Sequence, residues 1–306
     1  MLPMDLRTMR NFLAVAEERN FSRAAERLHM AQPPLSRQIK ALEEELGAAL
    51  FVRTAKGVDL TDAGRTLLDE VPNLLALAQR ARELTSLAGQ GMIGRLDVGL
   101  FGSGVLDAIP RMLARFHADR PEVRIVLHNM TKAEQLQALR ERRIVVGFNR
   151  LVLEQPDLVV ETVMREPLVI AVPQSHRLAV RKAIRIADMD GEPLITYPNI
   201  PLRGLAQEVA DAFRREDVRL NIEQEVEDVL TAIALVASGF GLCVTTRSAT
   251  SLRLPGIVFI PLNCPHLRDV ELSCLYRRGD QSPILQAFLT VVRGFHKDIK
   301  RRTGLA

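Results

Sequence analysis

The order of apolar and polar positions divides the chain into a helical N-terminal part and a longer part in which strands and helices alternate. Between residues 21 and 51 the pattern predicts two short helices joined by a tight turn. The first is expected over Ser22–Leu28, with the Ser22 hydroxyl as its cap. The second is expected over Gln32–Leu46, with Gly47 closing it.

The second of these helices has two distinct faces. Its apolar residues predict a buried stripe of Leu35, Ile39, Leu42 and Leu46. The remaining face supplies the candidates for contact with DNA, which are Gln32, Pro33, Pro34, Ser36, Arg37 and Lys40. Amides and guanidinium groups can bond base edges, and hydroxyl and basic groups can bond phosphate, while prolines are tolerated in a first helical turn. This pattern fits the DNA-binding helix-turn-helix, and it also fits a plain helical hairpin with a solvated face.

The segments on either side of the two helices complete the expected domain. Residues 5–19 predict an amphipathic helix whose inward positions are Leu6, Met9, Phe12, Leu13 and Ala16. After Gly47 the chain alternates enough to predict a two-stranded wing that turns at residues 55–57. Arg53 and Lys56 lie on this wing, either within reach of phosphate or the minor groove or simply solvated.

A long helix is predicted from Thr61-Asp62 to about Ala88. At 1.5 Å per residue it would extend for about 40 Å. Its apolar stripe between Leu67 and Leu87 is too long for one helix to bury alone, so we expect it to pair with the same helix of a second subunit. Pro72 predicts a kink, and the glycines from residue 89 to 94 predict a hinge.

From Arg95 onward the alternation predicts an open α/β architecture, which binds ligands at the carboxyl ends of its strands. Ser103 follows the first predicted strand and Thr131 follows the second, each directly before a predicted helix. Hydroxyl groups and free N–H groups at helix starts suit an anion. The same residues can also be plain helix caps.

Composition limits the classes of function. The chain has 306 residues, of which 47% are hydrophobic and 25% charged, so two or three globular domains are expected. The net charge is +4, but residues 1–62 carry nine basic and nine acidic residues, so DNA binding depends on where the basic residues lie. We expect a cytoplasmic protein, because no leader and no apolar run of about 18 residues is present.

The sequence does not predict catalysis. The six histidines lack the spacing of a zinc site, and the glycines around Ser103 do not form a nucleophile elbow. Since no nucleophile, base and orienting group occur together, we expect no catalytic residues, no metal and no cofactor.

Residues 4–64 resemble the N-terminal domain of the LysR-type transcriptional regulators. The stretches that carry the resemblance are MDLRTMRNFLAVAEERNFSRAAERL, AQPPLSRQIKALEEELGAALFVRT and LTDAG. The form QPPLSRQI is most similar to the branch that controls degradation of benzoate, catechol and chlorinated aromatics. The resemblance continues more weakly after residue 92 and implies a ligand-responsive regulator. The alternative is a small-molecule binding protein of periplasmic-binding-protein type, used in transport or buffering without a DNA function.

The resemblance implies a winged helix-turn-helix at 1–61, a linker and dimerisation helix with a hinge at 62–91, and a two-lobed effector domain of periplasmic-binding-protein type at 92–306. Lobe I would hold about 95–166 and 269–302, and lobe II about 167–268. The implied effector site consists of Ser103, Gly104, Thr131, Phe148 as an apolar wall, and Ile200, Pro201, Leu202 and Arg203 from a lobe II loop.

The implied effector is a small carboxylate, either an aromatic acid or a muconate-like dicarboxylate. Arg203 either pairs with a second carboxylate or is solvated, and the most similar members of the branch do not have this arginine. The implied partners are double-stranded promoter DNA and further copies of the chain in a homodimer or homotetramer. RNA polymerase is a further candidate partner, whereas no membrane partner is expected.

Overall fold

The computed structural model describes residues 5–55, 57–197 and 204–303, and its contacts group the chain into one unit up to Leu87 and another from Ala88 onward. The α-helices of the described residues are α1 (Leu6–Glu18), α2 (Phe21–Arg27), α3 (Gln32–Leu46), α4 (Asp62–Gly89), α5 (Ala108–Asp119), α6 (Lys132–Arg140), α7 (Leu205–Arg215), α8 (Val229–Ala237) and α9 (Pro283–Thr303). The strands there are β1 (Phe51–Thr54), β2 (Gly57–Leu60), β3 (Gly94–Leu100), β4 (Val123–Asn129), β5 (Val146–Arg150), β6 (Leu158–Pro173), β7 (Pro193–Thr196), β8 (Asn221–Glu225), β9 (Cys243–Thr246), β10 (Ile257–Pro261) and β11 (Asp269–Arg277). Within these ranges no helix has both the length and the apolar character needed to cross a lipid bilayer.

The N-terminal unit packs α1, α2 and α3 around one apolar core. Its fully or almost fully buried side chains include Met9, Phe12, Val15, Leu35, Ile39 and Leu42. The predicted stripe of α3 is therefore confirmed at its first three positions, whereas Leu46 is 39% exposed. The predicted wing is confirmed too, because β1 and β2 pair as an antiparallel hairpin.

Two predictions for the first helices are wrong. The cap of α2 is Asn20, whose side-chain oxygen accepts hydrogen bonds from the N–H groups of Ser22 at 2.9 Å and Arg23 at 3.2 Å. Ser22 lies inside the first turn, because the extended backbone at Asn20 brings that amide to the orphan donors. Leu6 is 43% exposed in the first turn of α1 and does not face the core.

The ends of α3 and the wing are fixed by local geometry. Gly47 ends α3 in the left-handed conformation at φ 65°, as predicted. Glu43 accepts hydrogen bonds from the backbone N–H groups of Leu50 at 2.7 Å and Phe51 at 3.2 Å, which joins α3 to the start of the wing. At Gly57 a side chain would bring its Cβ within 2.4 Å of the Arg19 carbonyl oxygen, so the approach of the wing to α1 requires glycine.

The linker helix α4 begins where the sequence predicted. The Thr61 hydroxyl accepts a hydrogen bond from the Gly64 N–H at 2.9 Å. Pro72 lies inside the helix, which continues on both sides of it. Val71 is fully buried in the core of the N-terminal unit. Farther along, α4 exposes the side chains of Leu74 by 37%, Leu77 by 65%, Leu84 by 44% and Leu87 by 37%.

The C-terminal unit contains a seven-stranded sheet in the order β10-β6-β11-β5-β3-β4, with β9 also paired to β6. β3 pairs in parallel with β4 and β5, and the pairs made by β6 and β11 are antiparallel. The first part of β6 pairs with β11 up to Pro167 opposite Asp269, and its last part pairs with β9 and β10. The sequence predicted only the end of β6, and it missed residues 158–166 and the whole of β11.

Two separate cores show that this unit has two lobes, as predicted. One core lies between residues 96 and 163 and between 272 and 295, and it includes α5 and α9. The other lies between residues 168 and 270 and includes α7. The predicted fold class is confirmed.

Candidate functional site

The candidate DNA-binding residues of α3 lie on its exposed side. Gln32, Pro33, Arg37 and Lys40 are exposed, while Pro34 and Ser36 are half-buried. Lys40 pairs with Glu44 at 3.7 Å, and both side chains are mostly solvated, so this ion pair leaves the ammonium group accessible. The helix therefore presents amide, hydroxyl and basic groups on the side opposite its buried stripe.

The wing adds a basic side chain to this surface, and α1 holds α3 in place. Arg53 is exposed on β1, and Lys56 lies outside the described residues. The sequence pattern did not point to Asn11, which is 4% exposed and whose side-chain N–H donates to the Gln38 side-chain oxygen at 2.5 Å. This hydrogen bond fixes α3 against α1. The signal for it is a polar residue beside the inward positions of an amphipathic helix.

Ser103 follows β3 and lies in the first turn of a helix, as predicted, but this helix is not the expected α-helix. Residues Gly102–Leu106 form a short 3-10 helix, and α5 begins only at Ala108. Ser103 is 9% exposed, and its hydroxyl oxygen lies 2.6 Å from that of Thr246. Gly104 is buried as well, and a Cβ there would lie 3.0 Å from the Ile109 side chain.

Thr131 caps α6 in a capping box with Glu134. The Thr131 hydroxyl donates to the Glu134 carboxylate at 2.9 Å and accepts from the Glu134 N–H at 3.4 Å. Hydrogen bonds from Thr131, first of all from its backbone N–H, lower the pKa of the Glu134 carboxyl. Thr131 is half-buried and caps α6. This agrees with the interpretation of Thr131 as a plain helix cap, which the sequence pattern allows alongside that of an anion site.

The remaining predicted effector residues divide into two cases. Phe148 is fully buried in the first core, where its ring packs edge-on against Phe288 with centroids 6.1 Å apart. It faces α9 and has no exposed surface, so the prediction that it forms a wall of an open cleft is wrong. Ile200, Pro201, Leu202 and Arg203 lie outside the described residues.

A buried ion pair that the sequence pattern did not predict lies where lobe I meets lobe II. Arg150 at the end of β5 donates to the Glu166 carboxylate, and Glu166 also accepts from the Ser248 N–H. Glu166 is 4% exposed, so its charge is stabilised by these donors. The signal in the sequence is that Glu166 directly precedes the apolar run 167–173, which forms the second half of β6.

A buried lysine lies at the start of α6, next to Thr131. The Lys132 ammonium group donates to the Leu151 carbonyl oxygen at 3.0 Å, and the residue is only 7% exposed. Burial lowers the pKa of Lys132 to about 8. This places a cation beside a residue of the candidate effector site.

Comparison with known proteins gives the family. Residues 6–65 match the bacterial regulatory helix-turn-helix protein, lysR family, and residues 89–296 match the LysR substrate binding domain. The chain belongs to the LysR family of transcriptional regulators. The resemblance seen in the sequence is thus confirmed, and the alternative of a binding protein without a DNA function is set aside.

Relatives of this LysR-type regulator match it over most of their length. The HTH-type transcriptional regulator TcbR of Pseudomonas sp. (strain P51) is 34% identical over 295 residues, which is 96% of this chain and 100% of TcbR. The crystal structure of full-length CbnR complexed with its target DNA has a TM-score of 0.86 at 33% identity and covers 96% of this chain and 100% of CbnR. The structure of the BenM effector binding domain with its effector benzoate has a TM-score of 0.59 at 25% identity and covers 69% of this chain and 94% of that domain.

Proposed function

We propose that this regulator binds double-stranded promoter DNA as a homodimer or homotetramer, and that a small carboxylate bound by its C-terminal unit changes transcription of an aromatic-degradation operon. The observation that carries the proposal is the exposed face of α3. On that face Gln32, Arg37 and Lys40 are accessible while the opposite side of the helix is buried. A helix of this kind suits the major groove of DNA. Within the proposal, Ser36, the two prolines and the wing residues Arg53 and Lys56 contact the sugar-phosphate backbone of the DNA.

The exposed leucines of α4 support assembly through this helix. Leu74, Leu77, Leu84 and Leu87 are separated by helical spacings and are each more than a third exposed. A solvated apolar stripe of this length is stabilised when a second copy of the helix covers it. We therefore place the main dimer contact along α4.

The effector proposal rests on the ends of the first strands of the sheet. Ser103 follows β3 and Thr131 follows β4, and in α/β sheets the carboxyl ends of parallel strands face the ligand crevice. The BenM domain has benzoate as its effector, which supports a carboxylate ligand for this chain. Gly104, next to Ser103 in the chain, belongs to the proposed site. Residues 200–203, which lie outside the described residues, stay candidates on the strength of the sequence.

The proposed division of the chain follows the same logic. Residues 1–61 bind DNA, 62–91 form the linker and hinge, and 92–306 bind the effector. Lobe I takes about 95–166 and 269–302, and lobe II takes about 167–268. Supporting this, Pro167 lies opposite Asp269 where β6 and β11 both pass from one core to the other.

The experiment has two arms, one for DNA and one for effector. Gel retardation on the intergenic DNA beside the gene should give a complex that unrelated DNA does not displace. Titration calorimetry with a panel of benzoates and muconates should show binding that weakens about tenfold to a hundredfold in Ser103→Ala and Thr131→Val, because each loses a hydrogen bond to a charged group. Thr290→Val on α9, whose hydroxyl donates to the Gln286 carbonyl, is the matched control. Equal affinity in all four proteins would limit Ser103 and Thr131 to structural roles.

A further inference from the structure

Three hydroxyl groups form a closed ring of hydrogen bonds between the lobes. The oxygen atoms of Ser103 and Thr246 lie 2.6 Å apart, and those of Thr246 and Ser248 lie 2.9 Å apart. The Ser248 hydroxyl donates to the backbone carbonyl of Ser103 at 3.1 Å. The ring therefore starts and ends at Ser103, 143 residues away from Thr246 in sequence.

The positions of the protons in this ring follow from its one fixed acceptor. A carbonyl oxygen cannot donate, so the Ser248 proton points to the Ser103 carbonyl. Each hydroxyl has one proton, so Thr246 donates to Ser248 and Ser103 donates to Thr246. Hydrogen bonds that run in one direction around a ring strengthen one another in a buried site, and Thr246 is 1% exposed.

This arrangement has a consequence for a carboxylate ligand. An ionised carboxylate only accepts hydrogen bonds, so it needs the Ser103 proton, which points at Thr246. We propose that Thr246 is a positioning residue of the effector site, which holds the Ser103 proton away from the ligand until binding breaks this hydrogen bond between the lobes. The inference rests on the proposed binding of the effector carboxylate by Ser103.

The surrounding contacts explain why the hydrogen bond breaks by rotation of the side chain. Leu106, in the same 3-10 helix as Ser103, packs against a lobe II cluster that includes Val229 and Ile233. The Ser248 N–H is held by Glu166. Because the backbone is held on both sides, the Ser103 hydroxyl turns toward the ligand while the Ser103 carbonyl stays bonded to Ser248. Effector binding then removes one link between the lobes and leaves the other in place.

The test uses Thr246→Val, which removes the hydroxyl with little change in side-chain volume. We expect it to bind benzoate or cis,cis-muconate about fivefold more tightly than the wild type in titration calorimetry, since the competing hydrogen bond is gone. Thr246→Ser keeps a hydroxyl at this position and should bind the ligand as tightly as the wild type does. Thr245→Val is the matched control on the same strand, because its hydroxyl lies outside the ring, 3.4 Å from that of Tyr197.

A double variant separates this role from a general effect on the fold. In a Ser103→Ala background, Thr246→Val should give no gain, because the two residues act through one hydrogen bond. A gain that persists there, or an affinity in Thr246→Val that is equal to or weaker than that of the wild type, overturns the inference.

The ligand-free protein provides an independent readout. Hydrogen exchange at the backbone N–H groups of residues 103, 104 and 248 should be faster in Thr246→Val than in Thr245→Val, because only the first change opens the ring. Equal exchange in the two variants overturns the ring itself. If no carboxylate binds the wild type while exchange responds as expected, the proposed effector class is wrong and the ring remains.

Discussion

Replacing Arg37 by alanine tests the DNA-binding face of α3 directly. Arg37 is exposed, and its neighbours Leu35 and Ile39, on the other side of the helix, are 0% and 2% exposed. Removing a solvated guanidinium from this position leaves the core untouched, so the free energy of unfolding should change by less than about 0.5 kcal/mol. Any loss of DNA affinity is then a loss of contact.

The size of that loss depends on what the guanidinium binds. A bidentate contact to a guanine edge contributes about 1–3 kcal/mol, which corresponds to about a fivefold to 150-fold loss of affinity for the specific site. A phosphate contact would instead weaken binding to all sequences and reduce the salt dependence by about one unit of slope. Fluorescence anisotropy with a promoter fragment and a scrambled fragment, at several salt concentrations, distinguishes the two.

The matched control is Arg10→Ala, which removes the same charge from an exposed position on α1. It should cost much less affinity than Arg37→Ala, because only the second residue lies on the proposed groove-facing side of α3. If both variants lose the same affinity, bulk charge explains the effect. If Arg37→Ala binds both fragments as the wild type does, the assignment of this face to DNA is refuted.

Three further predictions concern assembly and stability. Leu84→Asp should convert the oligomer to monomer in light scattering, because it places a charge in the exposed leucine stripe of α4 that we propose as the dimer contact. Arg82→Asp, on the opposite side of the helix, should leave the oligomer intact. A wild type that is monomeric at micromolar concentration would contradict this dimer contact. Asn20→Ala should lower the free energy of unfolding of the N-terminal unit by about 1 kcal/mol in urea melts, and Ser22→Ala should have little effect, since Asn20 is the cap of α2. Burial lowers the pKa of Lys132 from its ordinary value of 10.5 to about 8, so between these pH values the unfolded chain binds more protons and stability rises with pH. Urea melts at pH 7 and pH 10 should show this rise in the wild type relative to Lys132→Met; an equal pH response of the two proteins contradicts it.

The N-terminal unit follows its sequence closely because its signals are local. The bounds of α3 come from prolines in its first turn and from a glycine at its end, which act within a few residues of the backbone they restrict. The buried stripe of α3 comes from a repeat within one helix. The error at Ser22 is a shift of two residues, because both Asn20 and Ser22 can cap a helix. Asn20 is the cap because its backbone is extended and its side chain reaches the first N–H groups of α2.

The strands that join the two lobes depend on contacts far away in sequence. Residues 158–166 carry charges that weaken an apolar strand pattern, but Arg165 pairs with Glu271 at 2.5 Å and Glu161 with Arg293 at 3.0 Å. Those partners become neighbours only when β11 pairs with β6 inside the sheet and α9 packs nearby. A pattern read within a short window contains no information about them.

The sequence by itself determined the helix-turn-helix, the start of the linker helix and the α/β character of the rest, because each depends on short-range backbone preferences and on periodicity. The tertiary structure decided which side of a strand faces a core, so that Phe148 is buried against Phe288 and does not line a cleft. It also decided the state of Ser103, whose proton direction is set by Thr246 and Ser248 from the other lobe. The physical reason is that hydrogen-bond direction and burial depend on groups that are more than a hundred residues apart in sequence. Local sequence preferences do not encode such long-range contacts.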